Sequence, residues 1–125
     1  MRSCGSYIGF IQVRDRAVAR CFYEDTLGLQ VRADTPFALV LDSGGTMIRV
    51  TAVADFTAAG YTVAGWKADD IEAAVTSLRD SGVEITLYEE MDQDHLGIWA
   101  SPSGDRVAWF RDPDGNTLSL TQFVD

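Results

Sequence analysis

A chain of 125 residues, 46% hydrophobic and 23% charged, is long enough for one domain with a core that needs no disulfide staples. Its formal net charge of −9, nineteen acidic residues against ten scattered basic ones, excludes a phosphate backbone as partner, because displacing counterions takes clustered Lys and Arg. No run of about 18 apolar residues offers a membrane span, the first residues lack a signal-peptide core, and Cys4 and Cys21 match no disulfide framework or zinc spacing, so the expected compartment is the cytoplasm.

In chain order, residues 8–13 read as a strand, followed by a helix that Asp15 caps and Gly28 stops. Val18, Cys21 and Phe22 form its apolar stripe, so Cys21 is expected to pack as a small core residue. Strands follow at 29–32, 37–41 and 47–53, with Ser43-Gly44-Gly45 as a hairpin. Residues 63–68 open a second round. Asp69 stands as cap with Glu72 three residues on, and Ile71, Ala74, Val75 and Leu78 fall at i, i+3, i+4 and i+7 before Gly82 ends the helix. Strands are then expected at 84–88, around Ile98-Trp99, at 106–110 and at 117–121. Ser101-Pro102-Ser103-Gly104 and Asp112-Pro113-Asp114-Gly115-Asn116 supply the turns between them.

Asp15 and Asp70, at the two helix starts, lie 55 residues apart and the stops Gly28 and Gly82 lie 54 apart, so one plan is written twice. The fold class is therefore α+β. A single domain, 1–125, is built from two βαβββ modules, 6–55 and 60–125, whose curled mixed sheets surround a cavity. Alternation assigns the faces. Leu118 and Leu120 point one way and Thr117, Ser119 and Thr121 the other, and Arg49 and Thr51 share the second face of their strand.

Two stretches carry a family resemblance. Phe22-Tyr23-Glu24-Asp25-Thr26-Leu27-Gly28 resembles the "FYxxxLG" signature of the vicinal oxygen chelate superfamily, the glyoxalase and bleomycin-resistance group, and Phe110-Arg111-Asp112-Pro113-Asp114-Gly115-Asn116 resembles its "FxDPDGN" turn. With the duplicated plan, the resemblance spans nearly the whole chain. It implies a paired βαβββ fold and, in the metalloenzymes of the group, a divalent ion held from four strand positions. Those positions fall here on Ile8, Val63, Arg49 and Ser119, none of them a suitable ligand for such an ion, and one histidine cannot make a two-His site. The resemblance thus implies a member that has lost its metal and uses no cofactor.

By strand parity the face that would hold the metal carries Ile8, Phe10 and Gln12, then Met47, Arg49 and Thr51, then Val63, Gly65 and Lys67, and last Thr117, Ser119 and Thr121. Such a mixture suits an organic ligand, with Arg49 able to grip a carboxylate or phenolate. Trp99 and Trp109 offer flat stacking walls, whereas Trp66 faces the helix by parity. The ligand-contact candidates are Phe10, Gln12, Arg49, Lys67, Trp99, Trp109 and Ser119. The leading reading is a resistance-type protein sequestering a planar organic molecule, aromatic or anionic, as a homodimer, with no nucleic-acid or membrane partner. Family members of this length pair halves across two chains, and one chain's own halves enclosing a cavity is the other arrangement. A second reading is a lyase, isomerase or dioxygenase with metal-free acid–base chemistry from His95, Glu89 or Tyr88, or with a displaced metal on Glu89, Asp92, Asp94 and His95. A non-catalytic scaffold or regulatory subunit is the third.

Overall fold

The computed structural model describes residues 3–124. The chain divides into two compact units, Met1–Thr57 and Ala58–Asp125. The first unit runs β1 (Ile8–Val13), α1 (Arg16–Arg20), a π-helical continuation (Cys21–Thr26), β2 (Gln30–Asp34), β3 (Leu39–Ser43) and β4 (Thr46–Ala52). Its four-stranded sheet has the order β1-β4-β3-β2, with β1 parallel to β4 and the remaining pairs antiparallel. Asp15 caps α1, its Oδ1 accepting from the backbone N–H groups of Ala17 and Val18 at 2.9 and 3.2 Å. Gly44 and Gly45 form the two-residue turn that brings Ser43 opposite Thr46, which fixes the register that pairs Val40 with Arg49.

The apolar stripe of this helix differs from expectation. The buried residues are Ala19, Phe22 and Tyr23, while Val18 and Cys21 are exposed. The buried set keeps the i, i+3, i+4 spacing but is turned by one residue from the expected stripe; beyond it the turns widen, the Leu27 N–H reaching back to the Phe22 carbonyl at 3.0 Å and the Leu29 N–H to that of Tyr23 at 2.9 Å. The Phe22 and Tyr23 rings meet edge to face, 5.1 Å between centroids, and Cys21 is left on the outer side.

The second unit runs β5 (Thr62–Lys67), α2 (Ile71–Asp80), β6 (Ile85–Thr86), β7 (Trp99–Ala100), β8 (Arg106–Arg111) and β9 (Thr117–Gln122). The order is β5-β9-β8-β6, with β7 also on β8, and β5 is parallel to β9. The stripe of α2 is as expected: Ile71, Val75 and Leu78 are buried, and Ala74 packs against a core of Ala68, Ile71, Val75, Ile98 and Ala108. Its cap is Asp70 rather than Asp69. The Asp70 carboxylate accepts from the Ala73 N–H at 3.1 Å, one residue later than the acidic-box reading placed it. Both helix stops are glycines in the left-handed region, Gly28 at φ 75° and Gly82 at φ 88°.

The strand expected over 84–88 shortens to Ile85–Thr86. Beyond it the Gln93 amide takes over the backbone: its oxygen accepts from the Tyr88 N–H at 2.8 Å, and its nitrogen donates to the carbonyls of Thr86 and Gly97 at 2.9 and 2.8 Å. The last turn is organised by a buried carboxylate. Asp112 accepts from the N–H groups of Asp114 and Asn116 and from the Asn116 amide, at 3.0, 2.9 and 2.8 Å. Each unit is thus a mixed sheet with open edges and one helix. No helix among the described residues is long and apolar enough to cross a membrane.

Candidate functional site

Strand pairing fixes which side chains share the sheet face opposite each helix. In the first unit Phe10 pairs with Arg49 and Arg49 with Val40; Ile8 pairs with Met47 and Gln12 with Thr51. Phe10 is 63% exposed, and Ile8 and Met47 are also exposed. Arg49 is half-buried and makes no hydrogen bond or ion pair among the described residues. The carboxylate nearest it along this face, Asp42, is already engaged: Arg32 donates to it at 2.9 Å and the Gly45 N–H at 2.9 Å, which holds its carboxyl below the ordinary aspartate range.

In the second unit the middle rung is Gly65, Ser119, Trp109 and Thr86, and the adjacent rung is Lys67, Thr121, Val107 and Trp99. Gly65 matters here because it has no side chain. A Cβ at that position would lie 2.5 Å from the Ser119 Oγ, so glycine leaves a bare floor beside a hydroxyl that is 9% exposed. Trp109 forms the wall. Its ring stands 5.4 Å from Tyr88, edge to face, and 6.1 Å from Trp99, tilted by 37°.

The candidates therefore form two groups. Phe10, Gln12 and Arg49 share one face of the first sheet; Lys67, Trp99, Trp109 and Ser119 share one face of the second, with Tyr88 in their aromatic cluster. His95 and Glu89 do not join them. Both are exposed, and His95 lies beside α2, its carbonyl accepting from Arg79 at 3.5 Å. Asp94 is spent on the turn, its Oδ1 accepting from the N–H groups of Leu96 and Ile98, each at 2.9 Å. Among the described residues no group of three or more His, Cys, Asp or Glu side chains could hold a metal ion. The four positions that the family resemblance assigns to a metal do not fit one either. Ile8 and Val63 have no donor atom and Arg49 carries a positive charge, which leaves the Ser119 hydroxyl alone. Depressions of about 680 and 720 Å³ lie elsewhere, the first around Arg14, Asp55 and Phe56 and the second along α2 beside Leu96.

Sequence reasoning missed Arg111 on the second face. It is two residues beyond Trp109 on β8 and paired with Thr117, so strand parity puts it on the face of Trp109.

Comparison with known proteins identifies the scaffold. The family model for the "Glyoxalase/Bleomycin resistance protein/Dioxygenase superfamily" matches residues 6–120. The chain belongs to this superfamily. Among solved structures it is similar to TnmS3, an antibiotic binding protein from Streptomyces sp. CB03234, at 24% identity and a TM-score of 0.76, covering 99% of each chain. It is also similar to a lactoylglutathione lyase from Agrobacterium tumefaciens, at 20% identity and TM-score 0.72, over 96% of this chain and 93% of that one. A superfamily member from Sphaerobacter thermophilus DSM 20745 matches at 24% identity and TM-score 0.72, over 98% and 100%. At these identities the likeness is one of fold. No curated protein sequence matches significantly.

Proposed function

We propose that this protein is a metal-independent, cytoplasmic binding protein of the superfamily that sequesters a planar organic molecule and acts as a homodimer. Lys67, Trp99, Trp109 and Ser119 on the second sheet, with Phe10, Gln12 and Arg49 on the first, are its ligand contacts. The observation that carries the reading is the Tyr88–Trp109–Trp99 cluster beside the bare Gly65–Ser119 floor. The Trp109 ring standing beside a glycine floor leaves room for a planar ring to lie against it, and the nearby hydroxyl and cation would orient it. The similarity to a protein described as antibiotic binding lends further support. A catalytic reading would need His95, Glu89 or Tyr88 for proton transfer, and of these only Tyr88 stands by the wall.

Intrinsic fluorescence tests this directly. Titration with a planar polycycle such as anthraquinone should quench tryptophan emission to saturation without turnover. Trp109→Ala should raise Kd by at least about tenfold, the weight of one lost stacking wall. Trp66→Phe, on the helix side of β5, should leave Kd unchanged. Absence of saturable quenching across a panel of planar polycycles would sink the proposal, and a monomer in light scattering would remove its homodimer part.

A further inference from the structure

The two units differ in charge. Residues 1–57 hold six acidic and six basic side chains, whereas residues 58–125 hold thirteen acidic and four basic, so the whole net charge of −9 belongs to the second unit. Yet none of the five strands of the second sheet contains an acidic residue. Those acidic residues fall on α2, the turns and the chain between strands. The sheet face opposite α2 carries instead two exposed cations, Lys67 and Arg111, at opposite ends of the Gly65–Ser119–Trp109 rung.

Neither cation makes a hydrogen bond or ion pair among the described residues. Arg106, which alternation turns to the other face of the same strand, has its charge met by Glu72 at 3.0 Å and by Asp94 at 4.0 Å. Of the carboxylates near Arg111, the adjacent Asp112 accepts from Asp114 and Asn116, and Glu84, beside the Ile85 that pairs with Phe110, is exposed and makes no ion pair with it. An acidic unit thus keeps acids out of the strands of this face and leaves two cations there with no ion pair among the described residues. Such an arrangement favours an anion at short range, where a charged donor and a carboxylate form a strong contact.

Resting on the binding reading above, we infer that the ligand is an aromatic anion. Its planar ring lies over the Gly65–Ser119 floor against Trp109, and its carboxylate or phenolate is met by Lys67 at one end or by Arg111 at the other. In a regular sheet the Cα atoms of Lys67 and Trp109, two strands and two residues apart, are separated by about 12 Å, and those of Trp109 and Arg111 by about 7 Å. A bicyclic ring with one anionic substituent spans either distance once the long side chains lean inward.

The test uses three probes of one shape and different charge: 2-naphthoate, 2-naphthamide and 2-naphthylmethylammonium. The wild-type protein should bind naphthoate at least about tenfold more tightly than the amide, the weight of one charge-assisted hydrogen bond, and the ammonium most weakly. The double variant Lys67→Gln/Arg111→Gln should lose that preference, binding naphthoate and the amide within about twofold of each other. Both residues are exposed, so the fold should tolerate the change, and unaltered circular dichroism should accompany it. Equal wild-type affinity for naphthoate and amide would overturn the anion while leaving planar-ligand binding intact. A preference that survives the double variant would overturn the assignment to this face and turn attention to Arg49. Failure of all three probes, together with anthraquinone, would overturn the binding reading and this inference with it.

Discussion

The two units use one strand–helix–strand plan, and their helices execute it differently. In the second, α2 is a regular ten-residue helix whose core side follows the 3.6-residue period. In the first, five α-helical residues give way to a six-residue π-helical stretch, and the buried side, Ala19, Phe22 and Tyr23, is turned by one residue from the expected stripe. The sheets diverge as well. The first presents Phe10, Ile8 and Met47 around a single arginine, the second an aromatic wall, hydroxyls and two cations. A duplicated backbone therefore constrains where strands and caps lie, and leaves both the helix core and the chemistry of the open face free to differ.

The largest expected effect addresses the helices. Tyr23→Ala removes a fully buried ring from the π-helical stretch and should cost about 3–5 kcal/mol in urea denaturation; Ile71→Ala in α2 should cost about 2–5 kcal/mol. Cys21→Ala, on the exposed side, should stay within about 0.5 kcal/mol. A loss at Cys21 as large as that at Tyr23 would return the buried side to the stripe of Val18, Cys21 and Phe22 expected from the sequence.

The caps give a smaller and finer test. Asp15 and Asp70 each accept backbone N–H groups at a helix start, so Asp15→Ala and Asp70→Ala should each cost about 1 kcal/mol. Asp69→Ala should be nearly neutral by the same measurement. The reverse order at 69 and 70 would return the cap to the position that the acidic-box pattern favours.

These cases also show which parts of the structure were legible in the sequence. The repeat, the strand faces and the glycine stops were legible because they follow from period-2 alternation and left-handed backbone, both local properties. The π-helical stretch was not, since a bond such as that from the Leu27 N–H to the Phe22 carbonyl leaves no mark on composition. Strand β6 shortened because a side chain, Gln93, took backbone partners that a pattern reading gives to a strand. On the candidate face, parity selected Lys67 and Ser119 and ring chemistry selected Trp109, and their grouping follows from the pairing of β5, β9 and β8. Arg111 obeyed the same parity and was passed over because it sits inside a turn motif. The significance of Gly65 needed the Ser119 Oγ in place.

The smallest effect concerns the one carboxylate on the first unit's open face, and its sign follows from linkage. Arg32 donates to Asp42, and the Gly45 N–H does so as well, so the folded-state pKa of Asp42 lies below its ordinary value of 3.8. A group depressed in the folded state contributes stability that is fully present above the unfolded value and is lost as pH falls through the folded one. Asp42→Asn should therefore be slightly less stable than the wild type at pH 7, and the difference should close as the pH is lowered from about 4 toward the depressed folded value. Because the Arg32–Asp42 pair is exposed and screened, the difference should also shrink in high salt at neutral pH. Paired denaturation curves at pH 7 and pH 2.5 would check this. A gap of equal size at both values would mean that Asp42 acts through turn geometry with Gly45 rather than through charge, and the first unit's face would then owe its single unpaired arginine nothing electrostatic from its neighbour.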